Sequence, residues 1–297
     1  MIVFLPVLAS LVASFGWATG IVLAQAPARA LGAFEFTRIQ LIACSAIVAL
    51  LCSALGYWQS VDWQAWPAFV LNIGLGIFLG NLAMIECLRR GGPRRTELLL
   101  CLKAPLVAAM AYLWLGEVLQ PGDIAGAVFV LAGIGLAIFY GNDPSVESER
   151  MSGGLLPVVL LGAGAAALQG FGYLVVKPML LSGTEPLAVS AVRLLGAALL
   201  ISVIGLWPAK AFRSDADLTT MLLARTILPG FIGYVVASSL LLYAFANLPA
   251  GLAAVLGSLS PVFVLPVLWL KERRPPRPQA LFGAALAVVG ASIIMIF

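Results

Sequence analysis

Two cations stand where the surrounding chain is apolar: Lys103 in "LLLCLKAPLVAAM" and Arg193 in "LAVSAVRLLGAAL". A charge deep in an apolar helix costs roughly 2.5–3.5 kcal/mol on membrane-insertion scales. Each therefore needs a polar partner or a ligand. Other polar residues gather at helical spacing. Ser10, Ser14 and Trp17 fall at i, i+4 and i+7, and Gln169, Tyr173 and Lys177 at i, i+4 and i+8, each set on one helix face. Asn81, Ser239, Tyr243, Ser258 and Ser260 add hydroxyl and amide groups in further apolar runs. The chemistry on offer is binding: a cation for a carboxylate, amides and hydroxyls for polar edges, rings for a side chain. The candidate substrate-binding residues are Lys103, Trp17, Ser14, Asn81, Gln169 and Tyr173, with Ser239, Tyr243 and Ser258. Lys103 is the expected carboxylate receptor.

Catalytic sets are missing. The chain has no His, and Cys44, Cys52, Cys87 and Cys101 lie in or beside apolar runs without CxxC or CxxH spacing, as small core residues do. No metal or cofactor is expected. The one conceivable enzyme is a Ser–Lys hydrolase pairing Ser258 or Ser260 with Lys103. The reading is of a protein that is not an enzyme. Segmentation also predicts no acidic residue or His in the central third of any helix. Proton-coupled carriers need such a group at depth, so movement down the substrate gradient is the expectation.

The elements that position these residues follow from composition. Hydrophobic residues make up 62% of the 297-residue chain and charged residues 10%, with a mean hydropathy of +1.06. A soluble domain carries about 25% charged residues. This is an integral membrane protein in which lipid takes the place of water. Ten apolar runs near the ~20 residues needed to span a bilayer are expected at 3–25, 33–57, 66–88, 97–115, 122–140, 155–178, 186–207, 221–246, 250–270 and 278–297. The runs are continuous, so helices and not barrel strands are predicted. The first run lacks a basic leader and is expected to be retained.

Charges orient the runs. Of the 17 basic residues, 14 fall in or beside the loops that follow odd-numbered runs. By the positive-inside rule these loops are cytoplasmic and both termini face outward. The localisation expected is the bacterial inner membrane, multi-pass, with lipid and a small-molecule substrate as partners, no nucleic acid and a monomeric state.

The chain then repeats itself. "LWLGE" ends at Glu117 and "LWLKE" at Glu272, 155 positions apart, and the same separation relates Arg38 in "EFTRIQL" to Arg193 in "SAVRLLG". Each glutamate is preceded by a proline (Pro105, Pro261) and followed by glycines seven apart, Gly126 with Gly133 and Gly283 with Gly290. The expected organisation is a first five-helix repeat over 1–140, a connecting loop over 141–154 and a second repeat over 155–297. An odd number of helices inverts the second copy in the membrane, a plan that puts a mid-membrane site within reach of both sides. Glycines at heptad spacing let helix backbones approach closely. Gly126, Gly133, Gly283, Gly290, Glu117, Glu272, Arg38 and Arg193 are read as structural. Arg193 is expected to share a symmetric role with Arg38.

"YAFANLPAGLAAVLGSLSPVFVLPVLWLKE" (243–272), followed by "GAALAVVGASI" (283–293), resembles the EamA-type half of the drug/metabolite transporter superfamily. In that pattern an Ala-rich helix runs to a Ser-Pro turn, then to Glu, then to a helix with heptad glycines. The first half departs from it with the basic cluster "RRGGPRRTELLLCLKAPL". The chain further resembles the bacterial aromatic amino acid exporter branch. The resemblance implies ten helices, a cavity between the halves and export or facilitated passage of small metabolites such as amino acids. An organic-anion or phosphorylated-metabolite carrier is the alternative, for which more cavity cations are expected than this chain carries.

Overall fold

A computed structural model of the chain describes residues 4–115, 121–140, 151–207, 209, 212, 214, 216–248, 253, 256–257, 259–273, 275 and 277–296. Every regular element among them is helical. Five stretches are long and apolar enough to cross a membrane: Phe4–Ala54, Trp63–Leu100, Leu155–Leu181, Pro186–Gly205 and Thr220–Asn247. Their outward faces carry leucines such as Leu113, Leu206 and Leu270, 81%, 80% and 72% exposed. In water such a surface would aggregate, and in a bilayer it is solvated.

The first helix, α1 (Phe4–Ala54), has 51 residues. At 1.5 Å per residue it would measure about 76 Å, against a hydrocarbon core of ~30 Å. It breaks at Gly32, whose φ of 80° and ψ of 162° are open to a residue without Cβ. The chain repeats the device at Gly92 (φ 80°, ψ 169°) inside α3 (Gly80–Leu100). Pro93 there opens the next helical stretch, where its missing N–H costs nothing. The fourth apolar segment therefore begins four residues before the 97 expected from hydropathy. The change carries Glu97 from the segment's end into its first turns.

α2 (Trp66–Leu71) runs into α3 through a π-helical segment, Asn72–Leu79. After α3 come α4 (Lys103–Leu115), α5 (Pro121–Tyr140), α6 (Leu155–Leu181) and α7 (Pro186–Gly205). α8 (Thr220–Gly230) passes through a second π-helical segment, Phe231–Ala237, into α9 (Ser238–Asn247). α10 (Ser260–Glu272) and α11 (Pro278–Ile296) finish the described chain. π segments widen a helix by one residue per turn and recur at functional sites.

The two largest of four apolar clusters tie most of the helices together. One joins the later part of α1 (Leu41, Cys44, Val48) to α7 and α9 through residues such as Leu194, Ile201 and Phe245. The other joins the earlier part of α1 (Ile21, Val22, Leu31) to α10 and α11 through Val264, Leu265 and Ala284. The four cysteines are buried free thiols. α5 and α11 lie side by side: a Cβ on Gly133 would come within 2.5 Å of the Ala287 nitrogen and the Gly283 carbonyl oxygen. Gly126 and Gly290 are buried on the same two helices. Arg38 forms an ion pair with Glu35 at 2.6 Å, and Glu86 pairs with Arg89 and Arg90 at the i+3 and i+4 spacing that favours it. Glu117 lies outside the described residues. Glu272 ends α10.

Candidate substrate-binding cavity

One cavity draws its walls from both of the larger clusters and from both π segments. Its space free of atoms, counting its open mouth and the solvent there, is about 910 Å³. Lys103, at the start of α4, is 8% exposed and its ammonium donates to Gln169 Oε1 at 3.1 Å. Gln169 Nε2 donates onward to Asn81 Oδ1 at 3.0 Å. The Lys103 ammonium also stands 5.2 Å from the centre of the Trp17 ring and 5.8 Å from that of Tyr173, within cation–π range.

Tyr173 is the hub of the opposite wall. Its ring stacks on Phe245 at 5.3 Å and meets Trp17 at 6.5 Å, 64° apart. The Arg193 guanidinium carbon lies 4.9 Å from the same ring centre. Ser238 Oγ lies 3.3 Å from the Tyr173 hydroxyl and accepts from Arg193 Nη2 at 3.4 Å. Small residues admit this crowding: a Cβ on Gly170 would meet Val107 at 2.8 Å and the Lys103 stem at 3.3 Å.

The sequence reading places Lys103, Trp17, Asn81, Gln169 and Tyr173 together, and all five line the cavity. Three others do not. Ser14 is buried against helix backbone, donating to the Leu256 carbonyl at 2.5 Å. Ser239 turns to Ser190 at 3.3 Å, and its neighbour Ser238 takes the wall position. Tyr243, like Ser239, is absent from the lining, because the helix turn that presents Ser238 points it elsewhere. Ser258 lies outside the described residues, and Ser260 lines the cavity.

Two corrections bear on function. Arg193 does not share a role with Arg38: it lines the cavity, while Arg38 is held by Glu35. A carboxylate does line the cavity. Glu97, 2% exposed, lines the cavity and accepts a hydrogen bond from Ser260. The "GGP" at 91–93 was the overlooked signal, because Gly followed by Pro marks a helix start. The same bond turns Ser260 away from the conceivable Ser–Lys pair, since its hydroxyl donates to Glu97 and Lys103 donates to Gln169, while Ser258 lies outside the described residues.

Several polar atoms on the walls have no partner: Asn72 Oδ1, Asn81 Nδ2, Arg193 Nε and Nη1, and the Tyr234 hydroxyl. Buried polar groups are normally satisfied. Their concentration around one cavity leaves hydrogen-bonding capacity there that the fold itself does not use. Among the described residues no group of acids, His or Cys could hold a metal.

Long apolar helices with outward-facing leucines around a charged interior cavity define a multi-pass membrane protein with an internal cavity. The chain belongs to the EamA-like transporter family, whose model matches twice, over residues 4–139 and 156–296. It is 32% identical to a WAT1-related protein of Arabidopsis thaliana over 102 residues, 33% of this chain and 26% of that one. The chain thus matches only about a quarter of that relative's length. A crystal structure of a protein superposes with a TM-score of 0.75 at 20% identity, covering 97% of this chain and 95% of the other. That likeness speaks to fold. Family membership places the chain among EamA-like membrane proteins.

Proposed function

We propose that the protein carries amino-acid-like metabolites, aromatic and hydrophobic ones among them, by exposing its central cavity alternately to the two sides of a bacterial inner membrane. Lys103 attracts the substrate carboxylate, and Trp17 and Tyr173 contact its side chain. The observation that carries this reading is a buried ammonium between two aromatic rings, anchored by an amide rather than a carboxylate. Such a cation keeps donors free for an anionic group.

Alternating access rests on two inverted five-helix halves, 1–140 and 155–297, joined by 141–154. Three features support it: the double match of one family model, π segments at Asn72–Leu79 and Phe231–Ala237 in corresponding helices, and the side-by-side pairing of the last helix of each half. The carrier works as a monomer with both termini on the outer side. The fit to the aromatic amino acid exporter branch belongs to this proposal.

The test is uptake of labelled L-phenylalanine into liposomes holding the purified protein. Lys103→Ala slows flux about tenfold or more while the protein remains folded and monodisperse in detergent. Normal flux in that variant removes Lys103 from the site. A second reading, a carrier of organic anions, is favoured by the two cavity cations, Lys103 and Arg193. Preferential uptake of phosphorylated or carboxylate-only compounds would select it.

A further inference from the structure

Glu97 and Lys103 lie six residues apart on adjoining helical stretches, both buried and both on the cavity wall. Oppositely charged buried groups that can reach each other normally pair, because an uncompensated buried charge is costly. These two do not pair. The Lys103 ammonium is turned to Gln169, Trp17 and Tyr173, and Glu97 is left with the Ser260 hydroxyl alone. Both other acidic residues with described ion pairs, Glu35 and Glu86, have arginines against them. Glu97 is thus a buried carboxylate that forms no ion pair among the described residues.

The charges are sorted. The Lys103 ammonium and the Arg193 guanidinium share the Tyr173 ring, 5.8 and 4.9 Å from its centre, whereas Glu97 is held by Ser260 on α10. The wall therefore carries its two cations at Tyr173 and its acid at Ser260. Arg193 leaves Nε and Nη1 without acceptors. The remaining titratable groups nearby are Cys101 on the same run, Tyr173 on α6 and Tyr234 in the second π segment, none of them a cation. Arg94 and Arg95 stand three and two residues before Glu97, and Arg95 is bound back to the Gly91 carbonyl at 2.8 Å.

From this order we infer that Glu97, seated by Ser260, is the receptor for a primary ammonium group, and that the cavity selects zwitterions by holding ammonium at Glu97 and carboxylate at the Lys103–Arg193 end. The inference deepens the amino-acid reading above and rests on it. An α-amino acid carries an ammonium and a carboxylate on one carbon, so it offers one group to each end of such a wall. The protein's selectivity then lies between L-phenylalanine and its two half-charged relatives: 3-phenylpropionate, which lacks the ammonium, and 2-phenylethylamine, which lacks the carboxylate.

Exchange of labelled L-phenylalanine across liposomes holding the full chain is the assay, with the three compounds as competitors. In the unaltered protein L-phenylalanine competes at least about tenfold better than either relative, the scale of one charge-assisted hydrogen bond. Glu97→Gln keeps the side chain's shape and removes its charge. It weakens L-phenylalanine about 10–100-fold and leaves 3-phenylpropionate unchanged or stronger. Ser260→Ala, a milder change, shifts the same ratio in the same direction by a smaller factor, and decides the matter if Glu97→Gln does not fold. If 3-phenylpropionate competes as well as L-phenylalanine in the unaltered protein, Glu97 does not receive an ammonium, although amino-acid transport stands. Equal weakening of both compounds by Glu97→Gln also overturns the assignment. Should L-phenylalanine not exchange at all, the amino-acid reading falls and this one with it.

Discussion

Gly76 and Gly172 meet backbone to backbone: a Cβ on either would stand 2.9 Å from the other's Cα. Beside them Asn72 Nδ2 donates to the Gly172 carbonyl at 2.7 Å. The first π segment is thereby locked onto α6 at the cavity wall. Backbone atoms cannot step aside as the tip of a side chain can. Gly76→Ala or Gly172→Ala is expected to destabilise the protein by about 1–3 kcal/mol, the usual range for overpacking. Gly164, on the same helix α6, has nothing within 4 Å of its would-be Cβ. Gly164→Ala should stabilise by roughly 0.5–1 kcal/mol through helix propensity. Unfolding midpoints in one detergent, compared across the three variants, check the opposite signs.

Gln169 bridges Lys103 to Asn81. Gln169→Leu leaves a buried ammonium without its amide acceptor and Asn81 Oδ1 without its donor. Stranding a buried charged partner costs about 1.5–3 kcal/mol, so the unfolding midpoint falls. Gln169→Glu restores an acceptor and neutralises Lys103. That variant should recover stability but still lose L-phenylalanine flux, which separates the fold from the site.

Arg193→Lys keeps the charge and loses the planar guanidinium over Tyr173. Lysine cannot stack in that way while also reaching Ser238, so the change is not conservative. Flux should drop by roughly tenfold, the order expected for losing a desolvated cation–π contact. Uptake by Arg193→Lys equal to that of the unaltered protein would show that charge alone suffices there.

A tag at either terminus should be open to protease added outside intact cells, and a tag within 141–154 protected. The basic loops drive this orientation. Protection of a C-terminal tag would reverse the assignment for the second half.

Gly133 has no room for a side chain against α11, where the nearest atoms are the Gly283 oxygen and the Ala287 nitrogen. Gly133→Val must part α5 from α11, in a bilayer where close backbone approach itself drives association. Loss of monodispersity in detergent is the expected outcome, with little recovery from substrate.

Composition determined the class, because a chain 62% hydrophobic has too few charges to face water. Helical periodicity put Gln169 and Tyr173 on one face, and insertion cost marked Lys103 as needing a partner. Both conclusions depend on local spacing and depth, which a sequence displays directly. The direction of a side chain between two packed helices depends on how those helices rotate about their axes, and hydropathy carries no information on rotation. Hence Ser238 lines the cavity and Ser239, one residue on, faces Ser190. Glu97 is the sharpest case. Its depth turned on where the chain breaks after Gly92, and its partner, Ser260, lies 163 residues away on α10. Only packing brings the two together, and it makes Glu97 the one carboxylate lining the cavity among the described residues.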